Sequence, residues 1–407
     1  MATATRANAG DALVEPTPRG LTRSGAARLD AIDMLRGLVI AIMVLDHARD
    51  FFHFYAFRLD PTDPAQSWPL LYATRWVTHL CATSFVFLAG VSIFFQKANG
   101  KTGAALSGFL LKRGAWLVLL ECTLISFGFN FGEPFLFLQV IWAIGVSMIC
   151  MAALARLPSG WVLLLGLAIL FFYPLAASAT AGATGALVVI RTLAIAAGII
   201  PGTPILAFYA VLPWLSVMCL GFGLGPIFRS ARAERFRRLL PIAIGLLIAF
   251  VLLRMLDGYG DPSRWTQQAT PLRTFLSFMS VSKYPPSPDY VFVTLGVSLL
   301  LFLMLEALRG PVATLLLAYG RTPLFTYVCH IYILHLMMLA VAAIAGFPLA
   351  VATHVVDNPS GMIQANWGFG LGAAYLAWAV TLALLAPLSL WFAGVKRRRR
   401  DWWLSYL

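Results

Sequence analysis

Apolar stretches long enough to cross a lipid bilayer recur from one end of this sequence to the other. The hydrocarbon layer of a bilayer is about 30 Å thick, and a helix needs about 20 residues to cross it. Within that layer no water reaches backbone N–H and C=O groups, so a spanning segment must pair them internally and is helical. Segments 34–54, 76–96, 109–129, 135–155, 161–179, 204–226, 239–256, 289–308, 322–345 and 368–392 meet this requirement. The chain is therefore expected to be an all-α polytopic membrane protein with about ten transmembrane helices. The count is ten or eleven, depending on 184–200.

Charge sets the orientation. Only 12% of the 407 residues are charged, against roughly 25% in soluble domains. The net charge of +13 would point to nucleic acid in a soluble protein, but here the basic residues gather in short loops. They are Arg23 and Arg28; Lys97, Lys101, Lys112 and Arg113; Arg156; the run Arg229 to Arg238; Arg309 and Arg321; and Lys396 to Arg400. With ten spans every group falls on one side, which the positive-inside rule makes cytoplasmic, together with both termini. No nucleic-acid partner is expected, and membrane lipids surround the domain. Segment 184–200 is short and interrupted by Arg191. Counting it as a span would separate the 229–238 loop from the terminal cluster, so it reads as an interfacial or re-entrant piece. Residues 1–28 are polar and small, without the apolar core of a signal peptide. The organisation is then a flexible cytoplasmic tail (1–28), a membrane domain (29–395) and a basic, aromatic C-terminal tail (396–407).

Ionisable groups inside a membrane are costly and mark function or pairing. Asp46, His47, Arg49, Asp50 and His53 crowd two turns at the outer end of the first span. His47 and Asp50 share a helical face, as do Asp46 and Asp50, so a carboxylate is expected to orient the imidazole as a general base. Arg49 and His53 are expected to reach the headgroup zone. His79 enters the second span at a similar depth, so an acid/base centre of His47, Asp46, Asp50 and His79 is the catalytic expectation. At the inner end, Asp33 and Arg36 stand one turn apart and can pair; Arg36 is also placed to meet the phosphates of a cofactor. Glu121, near the middle of span three, is expected to be protonated or paired with Arg191 or Arg254. His330 and His335 lie on different faces of span nine. Pro285, Pro286 and Pro288 stop any helix across 280–289, leaving Lys283 and Tyr284 on a rigid outer segment. No zinc-ligand spacing is present, and no metal is implied. A transporter would also place ionisable groups in the membrane, but no internal repeat of the transporter kind is found.

Several stretches carry a resemblance. They are Arg28-Leu-Asp-Ala-Ile-Asp-Met-Leu-Arg-Gly-Leu38, Met43-Val-Leu-Asp-His47, Thr78-His-Leu and Phe85-Val-Phe-Leu-Ala-Gly90. Leu212-Pro-Trp through Gly225, Ser282-Lys-Tyr-Pro-Pro-Ser287, Tyr319-Gly-Arg-Thr-Pro-Leu-Phe325 and Trp402-Trp-Leu-Ser-Tyr-Leu407 continue it. Together they resemble the bacterial branch of the heparan-α-glucosaminide N-acetyltransferase-like family, over about 28–407. The resemblance implies a transmembrane acyltransferase of the bacterial inner membrane. Such an enzyme would take an acetyl group from acetyl-CoA inside the cell and deliver it to a sugar or glycan-like acceptor outside. It leaves room for a homodimer. On this reading Arg36, Arg113 and Arg321 hold the CoA phosphates, and Lys283, Tyr284 and Trp76 meet the acceptor. The lysosomal relatives' proposed histidine, in the loop before span two near a Trp-Asn-Gly, has no counterpart here. His47 takes its place, and heparan sulfate is not implied as the acceptor.

Overall fold

The computed structural model describes residues 29–399 together with Asp401 and Leu404. The expected tail 1–28, and the Trp402–Leu407 motif apart from Leu404, lie outside the described residues.

Proline punctuates the fold. Six helices begin with it: α2 (Pro69–Val77), α11 (Pro271–Met279), α12 (Pro288–Leu305), α13 (Pro311–Arg321), α14 (Pro323–Ala345) and α16 (Pro359–Gln364). At a first helical position the missing N–H is no loss and the fixed φ suits the helix. For α12 the preceding Ser287 hydroxyl also accepts the Tyr290 N–H at 3.0 Å, a side-chain N-cap. The other helices are α1 (Asp30–Phe52), α3 (His79–Ala98), α4 (Gly103–Leu120), α5 (Ser126–Phe129), α6 (Val140–Leu154), α7 (Ser159–Ala179), α8 (Ala186–Ala194), α9 (Val211–Arg229), α10 (Arg232–Leu256), α15 (Leu349–Ala352) and α17 (Leu371–Arg398).

All ten apolar segments contain helix. Seven helical stretches among the described residues are long and apolar enough to cross a membrane by length and composition. The remaining three segments fall short for visible reasons. Helix α1 carries Arg36, Asp46, Arg49 and Asp50. Helix α4 runs into a π-helical turn, Glu121–Ile125, before the short α5. Helix α6 has 15 residues, because the start of its segment is strand rather than helix. That strand, β1 (Leu136–Leu138), belongs to a small sheet with β2 (Gly198–Ile199) and β3 (Ile205–Ala207), in the order β1-β3-β2. Strand β1 runs parallel to β3 with Leu136 opposite Ile205, and β2 runs antiparallel to it with Gly198 opposite Ala207. Within 184–200 the only helix is α8, nine residues long and so about 14 Å of rise. It cannot make an eleventh crossing.

Helix α1 sits at the centre, against α3, α13, α14 and α17, with Val39, Ile40, Val44 and Ala48 fully buried. Helices α3, α9 and α12 are mostly enclosed, whereas α7 and α10 turn most of their apolar surface outward. Exposed Phe172, Ile248 and Leu252 make sense only against lipid. Several seams bring backbones into direct contact, Gly114 with Gly145 between α4 and α6 among them. A Cβ on Gly37 would overlap the Leu316 carbonyl, and one on Gly320 the Asp33 carbonyl, joining α1 to α13. Gly90 and Gly221 do the same between α3 and α9. Small residues serve this purpose in membrane bundles, where close packing replaces the hydrophobic effect between helices.

Candidate active site

The last turns of α1, the start of α3 and three loops line a cavity of about 600 Å³, on the side expected from the sequence to be the outer one. Its walls include Asp46, His47, Arg49, Asp50, Arg75 and His79, with Lys283 and Tyr284 from the proline-rich segment. Residues of 55–75, 257–288 and 346–367 all contribute, and Phe137, Leu206 and Phe208 bring the small sheet to the same wall. An antiparallel α1 and α3 account for the convergence of His47 and His79, which the sequence places at matching depths.

His47 is buried, and its Nδ1 lies 2.7 Å from Nε2 of His330 on α14. The two rings are nearly parallel, with an interplanar angle of 8°. One nitrogen of that bond carries the proton and the other accepts it. Among the described residues, no hydrogen bond joins His47 to Asp46 or Asp50, so the imidazole is steadied by a second imidazole instead of the expected carboxylate. The reason lies in the cations. Arg75 Nη1 donates to both Asp46 oxygens, at 2.7 and 2.5 Å, Arg49 Nη2 reaches Oδ1 at 3.2 Å, and Lys283 Nζ stands 3.8 Å from Oδ2. Arg49 also donates to Asp50 at 2.6 Å. Arg49 and His53, expected to reach the headgroup zone, are both buried within the protein; two carboxylates make a buried position tolerable for Arg49.

His79 is buried with no hydrogen-bond partner at Nδ1 among the described residues. Tyr290 donates its hydroxyl to the His79 carbonyl at 2.7 Å. Trp76 stacks on the His79 ring but does not line the cavity; its indole N–H donates to the Met279 carbonyl at 3.0 Å. Burial pushes the Tyr284 phenol up, but the Lys283 ammonium and the Arg75 guanidinium beside it outweigh that and hold it below its ordinary pKa.

Two other intramembrane groups belong to the scaffold. Glu121 pairs with neither Arg191 nor Arg254, as the sequence suggested it would if ionised. Its carboxylate accepts the backbone N–H groups of Gln139, at 3.2 Å, and Trp142, at 2.9 Å. It thus caps the otherwise unpaired N-terminus of α6, and the π-helical turn delivers it there. Arg254 instead donates to the carbonyls of Ser263, Ser277, Phe278 and Ser280. His335 has both ring nitrogens on backbone carbonyls, Gly128 at 2.8 Å and Ala352 at 2.9 Å.

A second cavity, of about 320 Å³, lies toward the opposite end of α1. Arg36, Arg113, Arg321 and Lys396 line it, with Gln96 and Ser92. All three basic residues assigned from the sequence to CoA phosphates therefore share one chamber. Arg36 is fixed by Asp33 at 3.0 Å, as its one-turn spacing suggested, and by Ser92 at 2.5 Å. Arg321 is tied to Asp30 at 2.8 Å. No cluster of His, Cys, Asp and Glu suited to a metal ion occurs among the described residues.

Sequence reasoning placed His330 and His335 on different faces of span nine but missed His330 as the partner of His47. Tyr327, one turn before His330, was missed outright; the pair's three-residue spacing on α14 was the available signal.

A bundle of apolar helices enclosing a buried imidazole pair, joined end to end with a basic chamber, defines a multi-pass membrane protein with a site for group transfer. The family described as heparan-alpha-glucosaminide N-acetyltransferase, catalytic, matches residues 28–255. The chain belongs to that family and is a membrane acyltransferase. No curated relative matches the chain.

Proposed function

We propose that the protein moves an acetyl group from cytoplasmic acetyl-CoA to a hydroxyl or amine of a sugar or glycan-like acceptor on the extracytoplasmic side. One observation carries this reading: the basic chamber and the imidazole chamber lie at opposite ends of α1 and share wall residues. Arg36, Arg113, Arg321 and Lys396 would hold the phosphates of the donor, since four basic side chains lining one chamber suit a polyanion. With the ten crossings and cytoplasmic termini expected from the sequence, that chamber would open on the cytoplasmic side.

In the outer chamber His47 is the general base. Its Nδ1–H donates to His330 Nε2, so the Nε2 lone pair faces the cavity and takes the acceptor's proton as the acceptor attacks the thioester. Asp46 and Asp50 act on the cations instead, keeping Arg49, Arg75 and Lys283 in place at the mouth. Lys283 and Tyr284 offer donors to the hydroxyls of a sugar. His79 stands across the cavity as a second proton carrier.

The test is acceptor-dependent release of free CoA by purified protein in vesicles supplied with acetyl-CoA and a panel of amino sugars. His47→Ala at unchanged abundance is expected to lower release by at least about 10²-fold. Near-normal release removes His47 from the chemistry. Movement of an amino sugar across the vesicle wall without CoA release favours a transporter.

A further inference from the structure

The two chambers have three wall residues in common, Phe85, Val140 and Tyr327. Only Tyr327 among them has a polar side-chain atom. It is 3% exposed, and its hydroxyl has no hydrogen-bond partner among the described residues. Buried phenols ordinarily find an acceptor, and the other two shared residues, Phe85 and Val140, are apolar. The ring lies one turn from His330 on α14, with centroids 5.2 Å apart, and 6.5 Å from the His47 ring. A lone O–H thus stands at the junction through which a donor on one side and an acceptor on the other must meet.

We propose that Tyr327 is the oxyanion donor of the acyl transfer. This rests on the acyltransferase reading given above and names the group that reading lacks. When the acceptor oxygen or nitrogen attacks the thioester carbon, its proton passes to His47 Nε2 and a new C–O or C–N bond forms. The carbonyl π pair moves onto oxygen, and that developing anion accepts the Tyr327 O–H. Collapse restores the carbonyl, breaks the C–S bond and releases CoA thiolate, which takes the proton back from His47. The phenol keeps its own proton throughout. Its acceptor arrives with the substrate, which explains why the described residues supply none.

Tyr327→Phe keeps the ring and removes only the donor. With glucosamine as probe acceptor, its turnover is expected to fall about 10²- to 10³-fold. Acetyl-CoA affinity, measured without acceptor, is expected to stay within about twofold. Turnover within about threefold of the parent overturns the assignment; so does a loss confined to donor affinity, which would make Tyr327 a binding group. Where the variant is not recovered, or glucosamine is not accepted, the parent decides through the infrared carbonyl stretch of bound [1-¹³C]acetyl-CoA. A band shifted to lower frequency than in water supports donation to that oxygen, and an unshifted band overturns it. A parent that binds no acetyl-CoA overturns the acyltransferase reading and this assignment together. A parent that transfers normally beside an unimpaired Y327F overturns this assignment alone.

Discussion

Three basic side chains of the outer chamber, Arg49, Arg75 and Lys283, face three acidic ones, Asp46, Asp50 and Asp60, whereas the inner chamber is lined by Arg36, Arg113, Arg321 and Lys396 and, among the described residues, by no carboxylate. Both lie within or beside a membrane-spanning bundle, so both must answer the same desolvation cost. The outer chamber answers it internally, ion against ion, and retains two imidazoles for proton transfer. The basic chamber holds Arg36 to Asp33 and Arg321 to Asp30. The contrast supports the proposed division, with proton chemistry at one end and polyanion capture at the other.

The largest blow to this contrast is Asp46→Ala, which strands Arg75, Arg49 and Lys283 without their shared carboxylate. Breaking a buried pair costs about 3–5 kcal/mol, so the melting temperature in detergent should drop clearly. An unchanged value would mean that the outer cations are solvated, not internally balanced. Next comes the imidazole pair. His330→Leu should lower turnover about 10²-fold with the donor KM steady, and should shift the pH profile. His330→Gln, whose Oε1 can still accept from His47, should recover most of the rate. Equal losses in both variants would mark His330 as packing only.

Smaller effects belong to the inner end. Arg113→Ala and Arg321→Ala should each raise the acetyl-CoA KM about tenfold, worth about 1.4 kcal/mol, and leave the acceptor KM alone. Movement of the acceptor KM instead would erase the division between chambers. The smallest is ionic strength: raising salt to about 1 M shortens the screening length to about 3 Å. Donor affinity should weaken by a few-fold, and the enclosed Asp46 cluster should hardly respond.

The sequence makes the scaffold readable because lipid leaves so few options. Each apolar run of the required length has to pair its own backbone, and each of the ten contains helix. Local pairs were readable too, Asp33 with Arg36 above all, since one turn of helix fixes their distance. Partners across the bundle were not. His47 and His330 are 283 positions apart, and nothing in a helix apolar on all sides says which face meets which neighbour. The same ambiguity left Glu121 as either protonated or paired with Arg191 or Arg254, with no sign that it caps α6. Short strands inside apolar runs, such as β1 and β3, look like helix by composition alone.

The glycine seams have a bearing on how large molecules get in and out. Where one helix's carbonyl occupies the space of a missing methyl on the next, neither can slide or roll without collision. Helices α1 and α13 therefore travel as one beam, and α3 with α9 as another. Whatever yielding a bulky visitor demands then falls to elements outside those two beams, among them the segments 55–75, 257–288 and 346–367 that line the His47 side.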